Sequence, residues 1–155
     1  MTVSSRIGAV LAAATLALAG CASVPQASPD RDAEAKRYIT HPQTATLYVY
    51  RNDFTDATKE ESVLYVDGRI IGATLPGGYF RVDVRPGERV LHGDGPDHGR
   101  ITVKAAASEI TFVALGVAGG VSRFRQVAPE AAKREIARCC VLLENWAPGQ
   151  RPLLR

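Results

Sequence analysis

The sequence lacks the short motifs by which most enzyme active sites and metal sites are recognised. It has no Gly-x-Ser-x-Gly nucleophile elbow, no glycine-rich phosphate-binding loop, no Cys-x-x-Cys pair and no Asp-x-Asp-x-Asp-Gly calcium loop. Without such a motif, no nucleophile can be paired with a base, so a hydrolase is the least favoured function. We therefore expect a protein that is not an enzyme and that needs no cofactor.

A strong excess of positive charge is also missing. The chain has 19 lysines and arginines against 16 aspartates and glutamates, and its arginines alternate with acidic or apolar residues instead of forming one basic face. We therefore expect no nucleic-acid partner. Its 155 residues, 46% of them hydrophobic, are typical of one folded domain and too few for two ordinary ones.

One long apolar run is present, at the amino terminus. Within residues 1–20, Arg6 is followed by a stretch rich in alanine and leucine, residues 7–19. This layout is typical of an export signal. A membrane-spanning helix needs about 20 strongly apolar residues. Because this run is shorter and contains Gly8 and Thr15, an uncleaved anchor is the weaker alternative.

The end of this segment, Leu18-Ala19-Gly20-Cys21, closely resembles the lipobox of bacterial lipoproteins. The resemblance implies cleavage between Gly20 and Cys21, a diacylglyceryl group on the Cys21 thiol, and an acyl chain such as palmitate on the new amine. The alternative is a chance cysteine beside an ordinary cleavage site. Two or more acyl chains hold a protein stably in a bilayer. We therefore expect an anchored protein that faces the periplasm, and Ala22 after the cysteine favours the outer membrane.

The mature chain divides into three parts. Residues 21–43 are polar and without apolar periodicity, which predicts a flexible tether, although residues 30–38 could form a short helix capped by Asp30. Residues 44–146 are expected to form the folded domain. Residues 147–155 are expected to form a C-terminal tail.

From residue 44 the hydrophobic pattern has a period of two. Segments of this kind recur between turn signals, at residues 46–51, 63–66, 69–72, 79–84, 89–92, 101–104, 110–115 and 122–127. They predict an antiparallel β-sandwich of about seven or eight short strands, each with one buried face. Asp67 and Gly68 give the strongest hairpin signal, because this pair accommodates positive φ at both turn positions.

The pattern changes to helical spacing after Pro129, a residue that suits the first helical turn. Apolar residues then recur on one face of a helix: Ala132, Ile136, Cys139 or Cys140, and Leu143. This predicts one C-terminal amphipathic helix whose end is packed onto the sheet by Trp146. Adjacent cysteines suggest a redox pair or an intermolecular bridge, but a bond between neighbours distorts a helix. Because the helical spacing places Cys139 and Cys140 beside the apolar face, we expect them to be buried thiols without function.

Two loops carry side chains that can bind metal ions. His92, Asp94, Asp97 and His98 bring nitrogen and oxygen atoms into one loop, residues 92–98. The glycines and proline of this loop are also what a hairpin turn requires, so we expect no metal there. A small-ligand or metal-binding protein that uses this loop is the alternative function. The acidic residues of the second loop lack calcium-binding spacing and are expected to be solvated: Asp53, Asp56, Glu60 and Glu61.

The order of these segments resembles the bacterial lipoprotein family called domain of unknown function 2846. The resemblance covers about residues 44–143 and lies in Leu47-Tyr48-Val49-Tyr50-Arg51, Val66-Asp67-Gly68-Arg69-Ile70-Ile71-Gly72, Gly78-Tyr79-Phe80, Val84-Arg85-Pro86-Gly87 and Ile110-Thr111-Phe112-Val113. Ser108 stands where family members commonly have glycine. The Val66 to Gly72 segment also resembles PEGA-type β modules. The resemblance implies a β-sandwich and an envelope location, and it supplies no catalytic or ligand residue.

These patterns together predict a lipid-anchored, non-catalytic module of the cell envelope. Its expected partner is another envelope protein or a cell-wall component, bound through strand edges and loops.

Overall fold

A computed structural model describes residues 25–52, 60, 62–94 and 97–145. These residues form a mainly β structure of two packed sheets, which confirms the predicted fold class. The elements in chain order are α1 (Pro29–Ala35), β1 (Ala45–Arg51), β2 (Ser62–Val66), β3 (Arg69–Thr74), β4 (Gly78–Val84), β5 (Gly87–His92), β6 (Arg100–Ala105), β7 (Ile110–Ala118), β8 (Val121–Val127), α2 (Pro129–Cys139) and β9 (Val141–Leu142).

The main core lies between the two sheets. The larger sheet has the strand order β8-β7-β1-β4-β9 and the smaller one β3-β2-β5-β6. Fully buried side chains from both sheets meet there, among them Leu47, Leu64, Ile71, Phe80, Leu91 and Val113. Removing such a side chain from water stabilises the fold by about 1.5–3 kcal/mol, so this layer is a large source of the favourable free energy of folding.

Five of the seven described strand pairs have the predicted antiparallel direction, and two do not. The described residues form nine strands, and β1 runs parallel to β7 while β9 runs parallel to β4. A side-chain period of two is the same for both directions, so the sequence pattern could not distinguish them. β9 replaces the predicted end of the C-terminal helix, because Cys140 has an extended backbone (φ −127°, ψ 146°) and the chain joins the sheet edge there.

A second apolar cluster covers the outer face of the larger sheet. Both helices pack on this face, and their buried residues Ala35, Ala132 and Ile136 belong to one apolar cluster with the rings of Tyr48 and Phe112. All seven residues of β1 are buried as a result, whereas the alternation had predicted one buried face. The outward-facing tyrosines misled the prediction, because their hydroxyl groups are polar while their rings are buried beneath the helices.

α1 confirms the short helix expected within residues 30–38, but its packing departs from the prediction that this segment is a flexible tether. α1 begins after Ser28, whose side chain accepts a hydrogen bond from the backbone of Arg31, so the cap is Ser28 and not Asp30. Ala35 is fully buried, and its carbonyl accepts a 2.6 Å hydrogen bond from the Tyr48 hydroxyl. The folded domain therefore includes α1.

The two ends of the described chain pair with each other. The backbone N–H of Ala27 donates to the carbonyl of Leu142 (2.9 Å), and the N–H of Glu144 donates to the carbonyl of Pro25 (2.8 Å). These bonds extend the larger sheet beyond β9. Neither helix of the described segments is long and apolar enough to cross a membrane.

Several predictions concern residues outside the described ones. They are the signal of residues 1–20, the lipidation site Cys21, the packing of Trp146 and the tail of residues 147–155. The acidic residues Asp53, Asp56 and Glu61 also lie outside the described ranges.

Candidate functional sites

The Asp67-Gly68 turn has the predicted geometry. It connects β2 to β3, with φ of 50° at Asp67 and 73° at Gly68. A Cβ atom placed on Gly68 would contact nothing within 4 Å, so the constraint on this residue is its backbone conformation and not the surrounding space. The hairpin prediction is therefore confirmed.

The side chain of Asp67 fastens this turn to β5, a role that the sequence did not indicate. Its two carboxylate oxygens accept hydrogen bonds from the backbone N–H of Val90 (2.9 Å) and the guanidinium of Arg89 (2.7 Å). Burial raises the pKa of Asp67, whereas these two bonds lower it. The combined effect of the bonds is larger, so the pKa lies below its ordinary value. The carboxylate therefore stabilises the fold in its ionised form.

We expect Asp67→Asn to lower the free energy of unfolding by about 0.5–1 kcal/mol at pH 7, because the amide keeps one acceptor and loses the partly exposed ion pair. A lowered pKa in the folded state means that the carboxylate stabilises above its unfolded pKa of about 3.9, and that this contribution disappears as the pH falls through the folded pKa. Urea unfolding at several pH values should show the variant and wild type converging in acid. Glu88→Gln, an exposed change on β5, is the control, and a constant difference across pH would contradict the assignment.

In the described part of the loop of residues 92–98, polar side chains contact neighbouring groups of the domain. The ring of His92 stacks on the ring of Tyr65, with 4.9 Å between the two ring centroids. Asp97 accepts hydrogen bonds from the backbone N–H groups of Gly99 (2.9 Å) and Ser122 (2.8 Å). Burial raises the pKa of Asp97, while the bonds from Ser122 and Gly99 lower it, and the net shift is downward. Asp97 thus ties the loop to β8.

The other potential ligands of this loop are arranged as follows. Asp94 accepts a 3.3 Å hydrogen bond from the Tyr65 hydroxyl, His92 Nδ1 lies 2.6 Å from the Gly93 carbonyl oxygen, and His98 is exposed. In the described part of the chain, no group of three histidine, cysteine, aspartate or glutamate side chains is placed to hold a metal ion.

Cys139 and Cys140 are joined to each other by a disulfide, which corrects the prediction of two free thiols in a helix. The prediction assumed that the helix continues to Leu143, but α2 ends at Cys139 and Cys140 is already extended. The bond between neighbours therefore lies at the helix end, where the backbone is free to leave the helical conformation. Cys140 is buried as expected, and its carbonyl accepts a 2.7 Å hydrogen bond from Lys36 Nζ.

Two charged residues that were not expected to matter organise the fold. Asp32 on α1 accepts hydrogen bonds from the Tyr79 hydroxyl (2.9 Å) and the Leu142 backbone N–H (2.8 Å). Arg51, which is 1% exposed, donates to the carbonyls of Glu60 and Thr74, both at 2.8 Å. Arg51 follows an apolar strand pattern directly, and this position could have indicated a buried cation. Asp32 lies in a polar segment, where nothing in the sequence indicates burial.

A groove of about 330 Å³ opens on the outer face of the larger sheet, beside α2. Its lining includes Ala114 and Gly116 of β7, Arg123 and Arg125 of β8, and Glu135 of α2. The Glu135 carboxylate accepts a 2.8 Å hydrogen bond from the Tyr50 hydroxyl. Burial and this bond both raise the pKa of Tyr50, so its hydroxyl stays protonated and donates. Sequence reasoning did not identify this groove, because its residues are far apart along the chain.

Comparison with known proteins finds sequence similarity to an uncharacterized protein. An uncharacterized protein of Haemophilus influenzae (strain ATCC 51907 / DSM 11121 / KW20 / Rd) is 26% identical over 129 residues, which cover 79% of this chain and 76% of that protein. No family model matches the chain. No solved structure matches it.

Proposed function

We propose that this chain is a lipid-anchored module of the cell envelope, held in the outer membrane through Cys21 and facing the periplasm. The observation that carries the proposal is the Leu18-Ala19-Gly20-Cys21 segment at the end of an apolar export signal. The resemblance to the domain of unknown function 2846 family supports the same location. Because a thioether forms on the cysteine sulfur, serine at this position cannot accept the lipid.

The module is non-catalytic in this proposal and binds an envelope protein or a cell-wall component. The support is that the carboxylates of Asp67 and Asp97 accept hydrogen bonds from backbone N–H groups and stabilise turns. A structural role therefore accounts for both carboxylates. Crosslinking in intact cells followed by mass spectrometry would identify the partner. Recovery of no envelope protein and no cell-wall fragment would contradict this part of the proposal.

Cys21→Ser is expected to leave an uncleaved precursor that carries no lipid. Metabolic labelling with a fatty-acid analogue, read together with the mass of the mature protein, measures both effects. The matched control replaces Cys139 and Cys140 by Ser and should retain the label, since these residues lie in the folded domain. A Cys21→Ser protein that is still cleaved and still partitions into detergent would refute lipidation.

A second candidate function is a lipoprotein that binds a small ligand. The groove beside α2 favours it, because small-molecule sites are concave and place a few polar or charged groups around an otherwise apolar lining. This candidate differs from the predicted alternative in its location, which is the outer face of the larger sheet and not the loop of residues 92–98.

A further inference from the structure

The groove beside α2 owes its shape to two small residues at consecutive outward positions of β7. In the strand register, Ala114 lies opposite Arg125 and Gly116 lies opposite Arg123. On the other side, Ala114 lies opposite Tyr50 of β1. Residues directly opposite in neighbouring strands share a face of the sheet. Two guanidinium side chains therefore form one wall along a floor that has almost no side-chain volume.

The floor is open at Gly116. A Cβ atom placed there would contact nothing within 4 Å, and the backbone of this residue is that of an ordinary strand. Gly116 is therefore required neither by a turn nor by close packing among the described residues. Its absent side chain leaves room for a ligand.

Among the residues that the structure describes, the groove contains two arginines without a carboxylate partner and one carboxylate that already accepts a hydrogen bond. Arg123 and Arg125 are exposed, and within the described ranges neither forms an ion pair with a carboxylate. The carboxylate of Glu135 lies in the same lining and holds the Tyr50 hydroxyl. A planar guanidinium presents paired N–H donors that match the two oxygens of a carboxylate. The Glu135 carboxylate in turn attracts an N–H donor and repels a doubly charged anion.

We propose that this groove binds the carboxyl end of a short peptide, with Arg123 and Arg125 donating to the terminal carboxylate and Glu135 accepting from a peptide N–H. A volume of about 330 Å³ is at the small end of the range of ligand sites, so one or two terminal residues fit and a larger body remains outside. This inference does not depend on lipidation of Cys21.

Calorimetric titration of the purified full-length chain tests the assignment. The probes are N-acetyl-alanyl-alanine with a free carboxylate, the same dipeptide as its C-terminal amide, and inorganic phosphate. We expect the free carboxylate to bind and the amide to bind about tenfold or more weakly, because the amide offers one oxygen and no charge to the arginines. No binding of the free dipeptide, equal binding of the amide, or preferential binding of phosphate would each overturn the proposal.

Gly116→Leu is the most informative variant. Its side chain should fill the groove without straining the backbone, so the melting temperature should stay near that of the wild type while binding of the free dipeptide is lost. Arg123→Gln and Arg125→Gln should each weaken binding about tenfold by removing one charged donor. Arg100→Gln, an exposed change on β6 of the other sheet, is the control and should retain the wild-type affinity.

Retention of wild-type affinity in Gly116→Leu would show that the dipeptide binds elsewhere and would overturn the proposal. The same titrations on Cys21→Ser separate the two proposals. A lipid-free chain that still binds the dipeptide supports the groove, whatever the outcome of the lipid-labelling experiment.

Discussion

Arg51→Met should lower the free energy of unfolding by about 3–4 kcal/mol, a large fraction of the stability of a domain of this size. The Arg51 side chain extends from β1 of the larger sheet, and one of its donors bonds the carbonyl of Thr74 in β3 of the smaller sheet. Methionine occupies a similar volume but supplies no N–H group. The Thr74 carbonyl would then stay buried without this donor, as Thr74 is 3% exposed.

Urea unfolding of the full-length chain measures this effect. Arg69→Met is the matched control: Arg69 is exposed at the start of β3, so its replacement should change stability by less than about 0.5 kcal/mol. If Arg51→Met were no more destabilising than Arg69→Met, the proposed role of Arg51 in joining the sheets would be wrong.

Asp32→Ala should lower the free energy of unfolding by about 3 kcal/mol and release α1 from the sheet. One carboxylate oxygen accepts from both the Tyr79 hydroxyl and the Leu142 N–H, and the other accepts from Lys36 Nζ (2.8 Å). Alanine keeps the helix propensity but removes all three acceptor interactions. The buried Tyr79 hydroxyl and the β9 backbone then lose their shared partner.

Hydrogen exchange at the Leu142 amide, combined with urea unfolding, distinguishes local release from global loss of stability. Asp30→Ala is the control on the same helix, since Asp30 is exposed and its replacement should cost only a few tenths of a kcal/mol. We expect the Leu142 amide to exchange faster in Asp32→Ala alone. Unchanged exchange together with unchanged stability would show that Asp32 does not hold α1.

The strands of the central domain were predictable because their burial follows a local rule. Leu47 and Val49 face the main core and alternate with other residues, and Asp67-Gly68 marks a turn whose backbone angles few other pairs adopt. Both signals depend on neighbouring residues only. The sequence could therefore predict a β-sandwich and the position of its clearest hairpin.

The remaining features depend on contacts between distant parts of the chain. α1 has little apolar periodicity by which it could be recognised. It is attached to the domain by hydrogen bonds of Asp32 to residues 47 and 110 positions away, and such bonds leave no local pattern in the sequence. The parallel pairing of β1 with β7 depends on the route of the intervening chain and not on either strand's pattern. The groove combines residues from β7, β8 and α2, and its emptiness at Gly116 is visible only once the register is known.

If Cys21 carries the proposed lipid, the pairing of Pro25 with Glu144 limits how far the domain can lie from the membrane. Four residue steps separate Cys21 from Pro25, and an extended chain of that length spans at most about 14 Å. With a lipid on Cys21, the β9 edge of the domain is therefore confined to a thin layer against the bilayer surface. Such a domain searches for partners in two dimensions, at a high effective concentration near other membrane-bound molecules, and a distant partner has to approach the membrane to be bound.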